Sequence, residues 1–280
     1  MKTKGLIAID IDGTLTAVRE EINPAVVKFL QELHKERWKL LFVTGRTVDW
    51  SLRLLDSLPF DFYLSAFNGA YTMSFPEKKV IKKFYLPFDQ LFQVVQLVKD
   101  EDVGIAFYAA PDQKKRSFFY RKLASHIVER HLFARAKALA DDWSEVDNVM
   151  DLPTDSFSAM RLFCLPHTAK KLSHAIESKM ALHAPTMKDS YNDGFSIVQI
   201  THKGASKGEA LENMLHHLGK MPKVIACGDD HNDISMLKRA DIAVVMADAP
   251  PEVIVLGDVI APSAKNFGII QGLQQACAVS

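Results

Sequence analysis

The chain has 280 residues, with 34 lysines plus arginines against 34 aspartates plus glutamates, so its formal charge is zero. That balance gives no support to nucleic-acid or membrane binding through bulk charge, and no apolar segment is long enough for a signal peptide or a bilayer span. Cys164, Cys227 and Cys277 form no CxxC pair, which argues against a zinc ribbon and a disulfide framework and fits a reducing compartment, so the chain reads as a cytoplasmic protein of one or two domains.

The opening run Leu6-Ile7-Ala8-Ile9 leads straight into Asp10-Ile11-Asp12-Gly13-Thr14. A short, continuous apolar run predicts a strand buried on both faces of a parallel sheet. Asp10 and Asp12 lie two apart and would share one face of an extended backbone, and Gly13 lets the chain turn after them. Asn23-Pro24 predicts an N-cap with proline in the first helical turn, and Val26, Val27, Leu30 and Leu33 carry a helix to about Arg37. Lys39 to Val43 is the next strand and ends in Thr44-Gly45-Arg46. A helix from about Thr47 to Leu58, a strand from Phe62 to Phe67 and the turn Asn68-Gly69 follow. This alternation predicts a parallel sheet with right-handed crossovers.

The rhythm changes at Leu86-Pro87. The expected elements are a helix (90–99), a strand (103–109), a basic loop (112–116), a long helix (119–140), a strand (159–165), a helix (169–179) and a strand (182–187). None ends in the acidic or Thr-Gly signals of the first part. Residues 86–189 therefore read as an inserted α+β domain in a discontinuous core of residues 1–85 and 190–280. The core rhythm returns with a strand (195–200), a helix (206–218) carrying Lys207 in its first turn, and a strand (223–227). That strand leads into Gly228-Asp229-Asp230-His231-Asn232-Asp233. A helix (234–240), a strand (242–246) and a terminal helix near 269–275 complete it. The expected fold class is α/β, a doubly wound, Rossmann-like parallel sheet with an inserted α+β domain.

Asp10, Thr44 and Asp229 each follow an apolar strand directly, so a parallel sheet would bring them to one edge. Asp10, Asp12, Asp229 and Asp233 would then gather up to four negative charges, which a divalent cation relieves. All-oxygen donors favour magnesium over zinc. Lys207 and the Thr44 hydroxyl add donors suited to a phosphoryl group. Lys203 is a weaker rival cation, Asn232 serves equally as a helix cap, and His231 reads as a polar loop residue. The Gly204–Gly208 stretch is not a P-loop, and no GxGxxG fingerprint occurs.

Asp10-Ile11-Asp12-Gly13-Thr14 resembles the first motif of the haloacid dehalogenase-like phosphatases. Thr44-Gly45-Arg46, Lys207-Gly208 and Gly228-Asp229-Asp230-His231-Asn232-Asp233 resemble the others, in the same order. The long insert, Asn68-Gly69-Ala70 and Asp248-Ala249-Pro250 resemble the Cof-type subfamily with its α/β cap, although that subfamily often has asparagine where Asp248 stands. The resemblance implies a two-step phosphoryl transfer. Asp10 would be the nucleophile, and Asp12 the general acid and then base. Magnesium would be held by Asp10, Asp229 and the Asp12 carbonyl, supported by Asp233. Thr44, Gly45, Lys207 and Asn232 would bind the phosphoryl oxygens. Arg46 and Asn68 are expected near the substrate, Arg46 also as a partner of acids at the rim.

The expected activity is a magnesium-dependent phosphatase for a small phosphorylated metabolite, with a sugar phosphate as the expected class and the cap selecting among substrates. A phosphomutase or phosphotransferase, and a catalytically silent binding protein, are the alternatives. No nucleic-acid or membrane partner is expected, and the chain is expected to be a monomer or small homo-oligomer.

Overall fold

The computed structural model describes residues 3–17, 21–111, 113, 117–120, 122–139, 142–189, 191–192 and 194–278. The chain divides into two compact units, Met1–Lys83 with Ala205–Ser280, and Phe84–Gly204. Apart from Gln113, the expected basic loop lies outside the described residues.

In chain order, the first unit begins with β1 (Gly5–Asp10), α1 (Pro24–Lys35), β2 (Trp38–Val43), α2 (Val48–Leu55), β3 (Phe62–Ala66), β4 (Tyr71–Phe75) and β5 (Val80–Lys83). The second unit contributes α3 (Phe88–Leu97), β6 (Gly104–Ala109), β7 (Ser117–Tyr120), α4 (His126–Leu139), β8 (Ser144–Glu145) and β9 (Phe157–Cys164). It continues with α5 (Pro166–Lys179), β10 (Leu182–His183), β11 (Thr186–Lys188) and β12 (Ser196–His202). The first unit then resumes with α6 (Lys207–Leu218), β13 (Val224–Gly228), α7 (Ile234–Leu237), β14 (Ile242–Met246), α8 (Pro251–Ile254), β15 (Val259–Ala261) and α9 (Gly268–Ala278).

The first unit is built on an eight-stranded sheet in the order β15-β14-β13-β1-β2-β3-β4-β5. Its strands run parallel from β15 to β3, and β4 and β5 add an antiparallel edge. Both faces are covered, as the continuous apolar strands require. Leu6, Ala8, Leu41, Val43, Ala226 and Val245 pack with Ala210, Leu211 and Met214 of α6, Met236 and Leu237 of α7 and Val253 of α8. Ile7 and Ile9 alternate to the other face and are fully buried. On that face Gly272 of α9 lies against Val244 and Ala261, and α1 touches both α9 and β2. The caps follow the sequence: the Asn23 side chain accepts from Ala25 N, Thr47 Oγ1 from Trp50 N and Ser206 Oγ from Glu209 N.

The second unit is a seven-stranded sheet in the order β10-β12-β9-β6-β7-β8, with β11 also paired to β12. Its apolar core sets α3 and α5 residues such as Leu91, Val94, Leu172 and Ile176 against Ile105, Phe107, Met160, Leu162 and Val198.

Three expectations are corrected. The strand expected at 195–200 within the core domain belongs to the second unit, where β12 pairs antiparallel with β9. It is as buried as any core strand, so burial alone could not reveal which sheet it joins. The long helix expected from Phe119 begins only at His126, because Ser117–Tyr120 pairs with Tyr108–Ile105. The strand expected at 182–187 is two short strands separated by Ala184-Pro185, and proline removes a ladder donor there.

Candidate active site

Strand register brings the predicted residues to one edge. Asp10 is the last residue of β1 and pairs in register with Val43 of β2, so Thr44 lies one step beyond. Ile9 is level with Cys227 of β13, which sets Asp229 just past the end of that strand. The carboxyl ends of three adjacent parallel strands therefore carry Asp10, Thr44 and Asp229, where open α/β sheets place their ligands.

Lys207, the first residue of α6, reaches into this edge. Its side chain is 2% exposed, and Nζ lies 2.5 Å from Asp10 Oδ1 and 2.6 Å from Asp233 Oδ1. Gly208 makes that approach possible, since a Cβ there would sit 2.6 Å from the Ser235 carbonyl oxygen. Asp233 is fixed in turn. Its Oδ2 accepts from the backbone N–H groups of Asp229 and Asp230, each at 3.0 Å, closing a capping box with Asp230. Carboxylate oxygens of Asp10, Asp229 and Asp233 can all lie within 4.8 Å of one another.

Burial and the neighbouring carboxylates Asp233, Asp229 and Asp12 push Asp10 well above the usual carboxylate range, against the downward pull of Lys207. Burial and Asp233 push Asp229 up to about 7, while the Thr14 hydroxyl and Lys207 oppose the rise. Burial alone would lower Lys207, but the charges of Asp10 and Asp233 raise it, so it stays protonated. Three carboxylates crowd around one ammonium. The oxygen donors, with neither cysteine nor histidine among them, fit a hard divalent cation.

Asp12, the fourth carboxylate expected to gather, is not part of the close set Asp10, Asp229 and Asp233, but lies near enough for its charge to raise Asp10. The strand ends at Asp10 and the chain turns at Gly13, with φ +88°. The Asp12 side chain is 55% exposed and takes a two-pronged pair from Arg46, Nε at 2.8 Å from Oδ2 and Nη2 at 2.5 Å from Oδ1. This is the acidic partner expected for Arg46. Thr44 is fully buried, and its hydroxyl accepts from Arg46 N at 3.1 Å, with Gly45 between them in the same turn.

Asn68 and Asn232 meet, Asn232 Nδ2 donating to Asn68 Oδ1 at 3.3 Å. Asn68 is 1% exposed in left-handed backbone, its N–H bonds the Thr44 carbonyl, and its own Nδ2 is buried without a partner. Lys203, the rival cation, is exposed in the second unit. Asp230 and His231 are exposed and pair with each other at 2.9 Å.

Sequence reasoning passed over Thr14. Fully buried, it donates to Asp229 Oδ1 at 2.6 Å. A Cβ on neighbouring Gly13 would collide with the same carboxylate. The signal was present as the residues that follow Asp12, but nothing in the motif says which distant acid they hold.

Comparisons with known proteins agree with the fold. A family profile for haloacid dehalogenase-like hydrolases matches residues 7–273. The chain is 25% identical to the pyridoxal phosphate phosphatase YbhA of Escherichia coli, covering 95% of this chain and 97% of that one. It is 31% identical to a phosphoglycolate phosphatase of Methanothermobacter thermautotrophicus, over 96% and 97% of the two chains. Among solved structures, the phosphatase BT1666 of Bacteroides thetaiotaomicron superposes with a TM-score of 0.78 at 22% identity, covering 98% of this chain and 95% of that one. The subclass IIB sugar phosphatase BT4131 does so with 0.74 at 20%, covering 97% and 98%. The chain therefore belongs to the haloacid dehalogenase-like hydrolases and is a phosphatase of that family.

Proposed function

We propose that this phosphatase hydrolyses a small phosphorylated metabolite, with a sugar phosphate as the expected class, through an aspartyl-phosphate on Asp10 and with magnesium. The observation that carries the reading is the close set Asp10, Asp229 and Asp233, with Lys207 paired to Asp10 and Asp233, at the carboxyl edge of the sheet.

In the first step an Asp10 carboxylate oxygen forms a bond to phosphorus as the ester P–O bond breaks. Asp12 delivers a proton to the departing alkoxide oxygen. In the second step Asp12 takes a proton from water, the water oxygen bonds to phosphorus, and the acyl-phosphate bond breaks to free Asp10 and inorganic phosphate. Asp12 suits this double duty by its exposure at the rim. Arg46 orients it through two hydrogen bonds. Lys207, the Thr44 hydroxyl, the Gly45 N–H and the Asn232 amide bind phosphoryl oxygens. The unpartnered Nδ2 of Asn68 supplies a further donor to the substrate. Phosphoryl transfer depends mainly on such positioning and charge neutralisation.

Magnesium would be held by Asp10, Asp229 and the Asp12 carbonyl, with Asp233 in support. When bound, it neutralises phosphoryl charge and draws Asp10 into the ionised form a nucleophile needs.

The test is phosphate release from phosphorylated metabolites. Asp10→Asn should abolish release while the circular dichroism spectrum is unchanged, and excess EDTA should stop the wild type until magnesium is restored. Full turnover by Asp10→Asn would overturn the nucleophile. Undiminished turnover under EDTA would remove the metal.

A further inference from the structure

The start of α6 is fastened to the segment that carries Asp233. A helix leaves its first N–H groups without partners inside the helix. In α6 the N-cap Ser206 takes Glu209 N with its hydroxyl, whereas the Gly208 N–H goes to another element and donates to Ser235 Oγ of α7 at 3.0 Å. Arg239, just past the end of α7, braces the same contact. It donates from Nη1 to the Ser235 carbonyl at 3.0 Å and from Nη2 to Glu209 Oε1 at 2.6 Å, with Nε 3.5 Å from Glu212 Oε1. A side chain at position 208 would meet the Arg239 guanidinium as well as the Ser235 carbonyl, so only glycine lets the two segments close to this distance.

Asp233 and Ser235 between them hold both ends of Lys207. Asp233 Oδ1 receives the ammonium at 2.6 Å, and Ser235 Oγ receives the N–H of the very next residue. One turn of chain thus fixes the tip of the side chain and the backbone from which it springs. The Ser206 cap is internal to α6 and starts the helix. The Ser235 bond crosses to a second element and fixes where that start lies relative to Asp233. The ammonium depends on such accuracy. Its side chain is 2% exposed and it lies 2.5 Å from Asp10 Oδ1, and hydrogen bonds between charged groups weaken steeply when they are misaligned.

We propose that Ser235 is a positioning residue of the phosphoryl transfer: through Gly208 it sets the reach of the Lys207 ammonium onto Asp10 and the transferring group. The part Lys207 plays in the transfer rests on the phosphatase reading above. Its seating by Ser235 does not.

The experiment uses the full chain with magnesium, as wild type, Ser235→Ala and Ser235→Thr. Alanine removes the acceptor, and threonine keeps a hydroxyl. Turnover of an aryl phosphate is followed across substrate concentrations. Ser235→Ala should lower kcat about fivefold, the size of one hydrogen bond, with KM within about twofold of wild type, because the lysine is displaced where the bond to phosphorus forms. Ser235→Thr should bring kcat back to within about twofold of wild type. A second readout needs no turnover. Lys207 is the buried lysine among the described residues, and in protein isotope-labelled at the lysine nitrogens its Nζ protons should give a slowly exchanging magnetic resonance signal that is missing from Lys207→Met. Ser235→Ala should speed the exchange of those protons with water about threefold or more, and Ser235→Thr should not. A purely structural cap would lower the melting temperature alone. Unchanged kcat in Ser235→Ala overturns the proposal, and so does unchanged exchange of the Lys207 ammonium. If the wild type releases no phosphate, the phosphatase reading fails, and the seating of Lys207 is judged by the exchange. Thermal melts confirm that each variant is folded.

Discussion

Replacing Lys207 with methionine keeps the length of the side chain and removes its charge. The ammonium now serves two carboxylates at 2.5 and 2.6 Å, one on a side chain 6% exposed and one fully buried. Breaking a buried ion pair from one side costs about 3–5 kcal/mol, because the partner is left charged and dry. Here two partners are left, with Asp229 adding its own repulsion, so the upper end of about 5 kcal/mol is expected in metal-free protein at pH 8. At about 2 kcal/mol per molar of urea this lowers the denaturation midpoint by about 2.5 M. The loss should depend on pH. Without the lysine, which pulls it down, Asp10 gains a folded-state pKa still further above the ordinary value near 3.8. A raised folded pKa gives stability that is complete below the unfolded value and lost as pH rises through the folded one. The deficit of Lys207→Met relative to wild type should therefore shrink as pH falls from 8 to 5. Adding Asp10→Asn to it should restore part of the stability by removing one stranded charge. Urea melts at several pH values measure all of this. A Lys207→Met protein within about 1 kcal/mol of wild type throughout, or a deficit that deepens on acidification, would refute the argument that buried charge dominates here.

Thr14→Val should weaken magnesium binding about fivefold in a calorimetric titration, the value of one hydrogen bond, because Asp229 loses its 2.6 Å anchor; Thr14→Ser should keep it. Since Asp229 is pushed up to about 7, protons should compete with the cation, and magnesium affinity should be lower at pH 6 than at pH 8 in the same titration. In the second unit, Asp189 is fully buried and accepts from Tyr191 N at 2.9 Å, with His131 Nε2 at 2.9 Å and Arg135 Nε at 3.3 Å. Burial would raise Asp189, but these partners together hold it below the usual carboxylate range. A lowered folded pKa gives stability present above the unfolded value and lost as pH falls through the folded one. Asp189→Asn should therefore lower the melting temperature at pH 7, with the gap to wild type closing below about pH 4.

Much of this protein was decided locally. The apolar runs before Asp10, Thr44 and Asp229 needed burial on both faces, and a parallel sheet is what supplies it. Asn23, Thr47 and Ser206 cap the helices that follow them because each offers a side-chain oxygen at a helix start. Strand order placed the carboxyl ends together, and the ordered motifs identified the chemistry. Other features were written only in three dimensions. Whether β12 joins one sheet or the other depends on the strand it meets, and its buried residues suit both. The pairing of the Asp12 carboxylate with Arg46 joins residues 34 positions apart. The anchoring of Asp229 by Thr14, and the pairing of Arg161 with Gln199, join residues 215 and 38 positions apart. Periodicity reads neighbours along the chain. Contacts of that range exist only after the sheets have formed, which is why the tertiary structure alone could assign them.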